Sequence, residues 1–556
     1  MKQLLLLFFI LLSIIVKAQD TEFWFTTNSF GDPRSEGGFF FSNANEKEAT
    51  VTIKYYKTGQ TQTITIPAKS GYAHVLASAF ITNNIVAPND GNVSNCGVYI
   101  SSTEKVSVYF HWNQYAYQYI AVLKGRVALG TDFYVTQVSD RWITTEGQYD
   151  HIVIVASEDN TTFNFTPTRD CYGAGGNYTA GTTYPKTLNK GQTFCVRELT
   201  MNSGGAGSFS SLAGTHITSD KPIAVTSAEG VNHDPAVDQI VPVTRLGTDY
   251  VIVKGFGLIN NGERTYITAT ENNTKVYATA ENGTEALLAT LNAGQTTVYN
   301  MGNKNAAPYV LSIRSDKPVS VTQYVDCNQS NGNGHTDGAV VPNLTNLSIG
   351  DYSFYNIYSA TDVYNAILTV YKKGSRGDFS ITYNGSTYPI SSANAGTVVR
   401  YGDVPGRPNL EYMQWELPNA ARGKFVNVNN STSAYTLGYY SASIATFYTT
   451  FGYFSTFSSN KQELCYGEKI NELISFISLS QSDTYQWQSS FDSVYWTNIS
   501  GATNSTYQPI SQNRGTIYYR VQVTNGTDVV YGQPVEIKVN SCRLPVNHNI
   551  SSMEYD

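Results

Sequence analysis

The chain has 556 residues, 41% of them hydrophobic and only 14% charged, with Lys+Arg 36 against Asp+Glu 43 for a formal net charge of −7. So few charges, set against 41 Tyr, 25 Phe and 45 Gly, favour strands and turns over helices. A net negative chain without a basic cluster excludes nucleic acid as the expected partner, because phosphate binding draws on clustered Lys and Arg.

At the start, Lys2 precedes an unbroken apolar stretch from Leu4 to Leu12, which continues past Ser13 through Ile14, Ile15 and Val16 to Lys17 and Ala18. A basic start, a short apolar core and a small residue before the cut describe a secretory signal peptide over residues 1–18. A membrane-spanning helix needs about 20 apolar residues, and no later run reaches that length. Cleavage after Ala18 leaves Gln19 first, not a cysteine. The expectation is an exported chain, secreted or at the cell surface, with no transmembrane segment. Cys96, Cys171, Cys195, Cys327, Cys465 and Cys542 all lie in the exported part, where an even count permits disulfides; none forms a CxxC pair.

Laying the chain against itself finds four repeats, and repetition governs the reading of the fold. A short aromatic strand pattern begins at Thr21 (TEFWFT), Thr131 (TDFYVT), Thr248 (TDYVIV) and Gly350 (GDYSFY). An Asn-rich acidic turn then leads into an alternating strand at Ser157 (SEDNTTFNFTPT) and Ala269 (ATENNTKVYAT), more loosely at Ser42 (SNANEKEATVTIKYY). TLNKGQTFCV from Thr187 is matched by TLNAGQTTVY from Thr290. ITSDKPIAVTS from Ile217 is matched by IRSDKPVSVTQ from Ile313 and loosely by ISSTEKVSVYF from Ile100, whereas NNSTSAYTLGYYS from Asn429 lacks the Asp-Lys-Pro turn.

These pieces read as strands by their period of two. Val106, Val108 and Phe110 alternate with Ser107, Tyr109 and His111, and Phe163 and Phe165 with Thr162, Asn164 and Thr166, which puts one set on a buried face. The run from Ile152 to Ala156 is apolar throughout, as in a strand covered on both faces. Pro222 and Pro318 fall at the first position of their strands, where a missing N–H does least harm. No stretch shows sustained helical periodicity. The expected architecture is all-β: four tandem β-rich repeats of about 105 residues, at 19–127, 128–244, 245–346 and 347–458, each β-sandwich-like. Pattern alone leaves open a closed, propeller-like arrangement of the same strands.

From about Lys461 the repeat signals stop. Cys465 precedes a strand with Trp487 (TYQWQSS), followed by ISGATNSTY from Ile499, GTIYYRVQV from Gly515 and finally Cys542. This segment, 461–542, with a tail at 543–556, resembles the immunoglobulin-like modules common in secreted proteins of the Bacteroidetes, in which a core Trp sits on the third strand. Tyr519 matches the corner tyrosine of such folds, and Val521 occupies the place of the usual second cysteine. The resemblance therefore implies a disulfide between Cys465 and Cys542 that closes the module end to end.

The strings TEFWFTTNSF, SEDNTTFNFTPT, TLNKGQTFCV and ITSDKPIAVTS with LGTDYVIV resemble the N-terminal domain family of IgGFc-binding protein, over residues of about 21–454. The resemblance implies an extracellular recognition module for a protein or glycan, immunoglobulin Fc or mucin-like glycoprotein among them, and supplies no residue-level binding motif.

Chemistry was sought in the usual signatures. No GxSxG elbow, HExxH helix or P-loop is present, so neither an enzyme nor a cofactor is expected; a paired-carboxylate glycosidase leaves no short motif and stays an alternative, as does a structural spacer of a surface assembly. The candidate sites are three loops at one equivalent place in three repeats, since loops on a rigid scaffold commonly carry binding. HWNQYAYQY offers Trp112, Tyr115, Tyr117 and Tyr119, aromatics that either stack on a ligand or extend the strand and pack against a neighbour. EGVNHDPAVDQ offers Asn232, His233 and Asp234. DCNQSNGNGHTDG offers Asp326, Asn328, Asn331, Asn333 and Asp337, oxygen donors suited to calcium though at no EF-hand spacing.

Overall fold

The computed structural model describes residues 19–540 apart from 29–35, 115–116, 137–148, 201–210, 231–235, 257–262, 304, 327–335, 345–347, 358–363, 444–447, 455–460, 466–469, 471–472, 475–483, 511–513, 527 and 533. Residues 15–459 belong to one compact body and those from 460 onward to a second.

The organising element of the first unit is the 17-residue strand Val98–Gln114. Its first half pairs with Asp20–Phe25 and Ala49–Tyr55, and its second half with Glu36–Asn43 and Tyr117–Leu123. Thr61–Ile66 and Ser70–Ala77 extend the two sheets outward. One strand thus serves both sheets of a sandwich. Its alternation makes this possible, because Val98, Ile100, Val106, Val108, Phe110 and Trp112 all point into a single core with Phe23, Phe25, Phe39 and Phe41.

The plan recurs. His216–Gly230 takes Gly130–Tyr134 and Thr161–Thr166 on its first half, then Tyr149–Ala156 and Ala236–Gln239. Val310–Asp326 takes Gly247–Val253 and Thr274–Thr279, then Glu263–Ala269 and Thr336–Val340. In the fourth unit the long strand is broken into Lys424–Tyr435, beside Ser348–Asn356 and Phe379–Tyr383, and Gly438–Ser443, beside Tyr364–Lys372 and Tyr448–Tyr453. Phe23 faces Ile100, Phe133 faces Ile217, Tyr250 faces Ile313 and Tyr352 faces Val428. All four aromatic residues are buried.

The Asp-Lys-Pro segments differ from their sequence reading. They do not precede a strand: they are the corner at which one continuous strand leaves the first sheet and enters the second, and the register with the neighbouring strand shifts there, between Thr218 and Ile223 and between Arg314 and Val319. Each residue has a bond to make. The Ser219 hydroxyl donates to the Lys221 carbonyl at 2.7 Å, Asp220 accepts the Thr162 N–H at 2.8 Å, and Lys221 donates to the Asp159 carbonyl at 2.6 Å. Ser315, Asp316 and Lys317 repeat the set on Lys317, Lys275 and Asn272. Proline fits because an N–H at the corner has no ladder partner. A short helix, Ser78–Asn84, also forms where no helical signal was read.

The last strand of each unit packs against those of its neighbours in circular order: Tyr117–Leu123 on Ala236–Gln239, that on Thr336–Val340, that on Tyr448–Tyr453, and that back on Tyr117–Leu123. The units are sandwiches, and the set of four closes on itself. Ile152–Ala156 shows the consequence. Ile152 and Ile154 fill the core of the second unit, while Val153 lies with Ala87 and Cys96 and Val155 with Trp24, all from the first.

Taken by itself, the C-terminal body has a six-stranded sheet, Lys461–Cys465 beside Val535–Asn540, Gly515–Asn525, Thr484–Ser490 and Thr497–Asn498, with Asp528–Tyr531 on the Gly515–Asn525 strand, and a small second sheet of Leu473–Ile474 and Thr506–Tyr507. Trp487 lies at the centre, opposite Val521 in register, stacked on Tyr507 with ring centroids 5.9 Å apart and donating its indole N–H to the Asn504 carbonyl at 3.0 Å. Cys465 pairs with Asn540, two residues before Cys542, which lies outside the described residues.

Candidate functional site

The aromatic loop of the first unit resolves toward the packing reading. Trp112 and Tyr119 face each other across the hairpin, with 1% and 0% of their surface exposed, and flank Phe110 at centroid distances of 6.4 and 6.3 Å. Neither ring offers a face to a ligand. Tyr115 and the side chain of Tyr117 lie outside the described residues, as do Asn232, His233, Asp234, Asn328, Asn331 and Asn333, while Asp326 ends its long strand. The notable aspartate is Asp337. It is fully buried, its carboxylate accepts the N–H of Gly338 at 2.9 Å and of Phe451 at 2.8 Å, and burial holds its pKa well above the usual carboxylate range. One oxygen is held within its own strand, and the other joins the third unit to the fourth.

Asp337 belongs to a polar hub. Lys124, just after the first unit's closing strand, lies 2.6 Å from Asp238 with 2% and 3% of the two side chains exposed. Burial lowers the lysine and raises the aspartate, and their mutual attraction opposes both shifts. Asp238 also accepts the Val340 N–H at 2.8 Å, so one carboxylate ties three units together. Gln239 accepts the Lys124 N–H at 2.9 Å and donates to the Trp24 carbonyl at 2.8 Å. The sequence signal was there, in a charge set inside each of the apolar runs AVLKG and AVDQIV, but it was not read.

An accessible concavity lies elsewhere, on the seam where the first unit meets the fourth. It has a volume of about 560 Å³. One wall is the turn before Ser70–Ala77, with Lys69 at φ 52°; the other is the tip of the Phe379–Tyr383 hairpin, with Asn384 at φ 50°, together with the start of Lys424–Tyr435. Asn tolerates the left-handed region best, so the hairpin tip is held by an Asn-Gly turn. Gly71 lets the units close: a Cβ there would sit 3.0 Å from the Phe41 carbonyl and 3.3 Å from the Phe425 side chain.

Two lysines and no carboxylate line this cleft. Lys69 donates to the Ala44 carbonyl at 2.7 Å and lies 3.0 Å from Glu46, an exposed pair; Lys424 is also exposed. Tyr383 donates to the Asn394 carbonyl at 2.9 Å and packs on Tyr388 with centroids 5.1 Å apart. The buried amide nitrogen of Asn427 has no hydrogen-bond partner among the described residues. Among those residues no group of His, Cys, Asp and Glu is placed to hold a metal ion. Cys96, Cys171 and Cys195 are buried free thiols, with burial pushing Cys171 up to about 12.

Residues 455–541 match a domain of unknown function (DUF8696). No curated protein matches the chain. Among solved structures it is similar to the N-terminal four Ig domains of Dscam1 isoform 6.9, at 8% identity over 74% of this chain and 100% of that one with a TM-score of 0.12. It is also similar to dimeric latent PorU from Porphyromonas gingivalis, at 8% identity over 57% of this chain and 32% of that one with a TM-score of 0.10. Scores so low leave the fold to the strand registers described above. Residues 120–441 match the family described as IgGFc binding protein, more than half of the chain, and the protein therefore belongs to that family.

Proposed function

We propose that this chain is an extracellular binding protein, secreted or held at the cell surface, which recognises a protein or glycoprotein and catalyses no reaction. Membership of the IgGFc binding protein family carries the reading, and immunoglobulin Fc and mucin-like glycoproteins are its first ligands to test. The architecture supports it in kind. A ring of sandwiches tied by a buried hub is a rigid scaffold, and rigid scaffolds lower the ordering cost of presenting a recognition surface. The C-terminal body is read as an immunoglobulin-like module on its buried Trp487 and two-sheet arrangement.

Presenting residues 19–556 to an array of immunoglobulins, mucins and glycans is the test. Saturable retention of a protein or glycan is the expected result. Retention of nothing would leave a spacer of a surface assembly, and release of reducing sugar from an arrayed glycan would make the chain an enzyme.

A further inference from the structure

We propose that the cleft between the first and fourth units binds an anionic saccharide, a sugar bearing a carboxylate or a sulfate, clasped between Lys69 and Lys424. This deepens the binding reading above and rests on it.

The whole chain carries 43 acidic against 36 basic residues, yet the cleft gathers two ammonium groups with no carboxylate in its lining. Both lysines are exposed. The tie from Lys69 to Glu46 is an exposed ion pair, of the kind that contributes little and yields readily to a better partner. An anion entering here competes with Glu46 for Lys69 and gains two flexible donors.

The rest of the lining is polar and aromatic. Ser70, Thr382 and Thr387 carry hydroxyls and Asn384 and Asn427 carry amides, while Phe425 and Tyr383 add aromatic surface. Hydroxyl and amide groups around an aromatic wall suit a sugar ring, which presents hydroxyls at its edge and C–H groups on its faces. Inorganic phosphate would use the lysines and leave the remainder idle. The buried amide nitrogen of Asn427 has no acceptor among the described residues, and a buried donor without one is costly. A ligand reaching the floor of the cleft supplies one after a small rotation of that side chain. The volume of about 560 Å³ sits within the usual range of small-ligand sites, roughly 300–1,000 Å³.

Lys69 and Lys424 belong to the first and last units, and they meet only because the ring closes. Their walls are short turns fixed by backbone conformation, which limits the ordering that binding must impose.

The experiment titrates residues 19–556 with one oligosaccharide in three forms, neutral, sialylated and sulfated, alongside Lys69→Gln, Lys424→Gln and the double variant. Acidic forms are expected to bind at least about tenfold more tightly than the neutral form, with affinity falling as salt rises. Each single variant should lose roughly threefold to tenfold and the double variant should abolish the preference, with unchanged thermal unfolding because both side chains are exposed. Lys424→Arg should retain binding. The two acidic forms distinguish a carboxylated from a sulfated ligand. Neutral and acidic forms bound alike, or a double variant that binds as the parent does, would overturn the cleft while leaving array binding at another surface intact; no binding on any array would overturn both.

Discussion

The two seams that flank the first unit are built differently. Where it meets the second unit, backbone crosses the join: Val93–Ser94 pairs with Thr193 and Phe194, the Gly91 N–H donates to the Cys195 carbonyl at 2.9 Å, and Gly97 donates to Gly191 at 3.2 Å. Trp24 then covers the join, 4.7 Å from Tyr99 and 5.8 Å from Tyr56 between ring centroids. Where the first unit meets the fourth, side chains do the joining. Phe40 lies 5.5 Å from Tyr355, Tyr109 lies 5.6 Å from Phe454, the Tyr109 hydroxyl donates to the Tyr355 carbonyl at 2.5 Å, and Gln19 donates to Ser353 at 3.3 Å. Units adjacent in sequence can be laced by the chain that links them. Units at opposite ends must meet by complementarity of finished surfaces, and the cleft is the part of the closing seam left open to solvent.

The hub ties the first unit to the second and the second to the third, so breaking it tests the first of these seams. Lys124→Met leaves the Asp238 carboxylate buried without its cation, and the expected loss is about 3–5 kcal/mol of unfolding free energy by denaturant titration. Combining it with Asp238→Asn should restore part of that loss, because the uncompensated charge is then gone while an amide oxygen remains for the Val340 N–H. A double variant no better than the single would place the cost in lost packing instead.

Acid should act through two buried histidines, one at the join of the first two units and one inside the first. His151, in the second unit and 3.3 Å from Asn89 of the first, is lowered to about 3 by burial, with Arg197 adding repulsion. His111, 5.5 Å from Phe40 and 3.1 Å from Gln118, is lowered to about 4 by burial. Both are neutral when folded and take a proton near pH 6.5 when unfolded, so their contribution is intact above that pH. It is lost as pH falls, toward about 4 for His111 and about 3 for His151, with an upper bound of about 3 kcal/mol for His111. Melting curves between about pH 7.5 and 4.5, repeated on His111→Gln and His151→Gln, should show each substitution flattening part of the slope. Unchanged slopes would mean that neither buried histidine sets the stability in acid.

How much of this was legible depended on whether a feature was local. The alternation of Val106, Val108 and Phe110 gave strand and face, and continuing it one step assigns Trp112 to the core. The aromatic character of the stretch left ligand stacking and packing both open, and burial of Trp112 and Tyr119 favours packing for those two. The matched TLNKGQT and TLNAGQT strings were readable as turns, and the structure gives them the same bond, Asn189 N–H to the Gln192 side chain and Asn292 N–H to that of Gln295, both 2.8 Å. The Asp-Lys-Pro corner was misread because proline marks a strand start and a bulge between two sheets alike. The fourth unit shows that the corner has other solutions: Asn430 accepts the N–H groups of Thr432 and Ser433 and donates to the Ser375 carbonyl at 3.0 Å. Ring closure and the cleft had no local signal, since Lys69 and Lys424 become neighbours only in the assembled body.

The sharpest comparison of the seams uses one glycine from each. Gly191 has φ 78°, and a Cβ there would fall 2.1 Å from ring carbons of Tyr56, which is itself held under Trp24. A Cβ at Gly452 would meet Val122 Cγ2 at 2.5 Å and Ile120 Cδ1 at 3.2 Å, methyl groups of aliphatic side chains and no ring. Gly191→Ala combines a disfavoured backbone with a rigid ring clash and should cost about 2–4 kcal/mol. Gly452→Ala should cost about 1 kcal/mol, since a rotamer change can absorb the methyl group. Chemical denaturation of the two variants gives the order. If Gly452→Ala proves the more damaging, side-chain complementarity at the closing seam is tighter than backbone lacing at the first, and the openness of the cleft reflects a local gap in a rigid contact instead of a looser join.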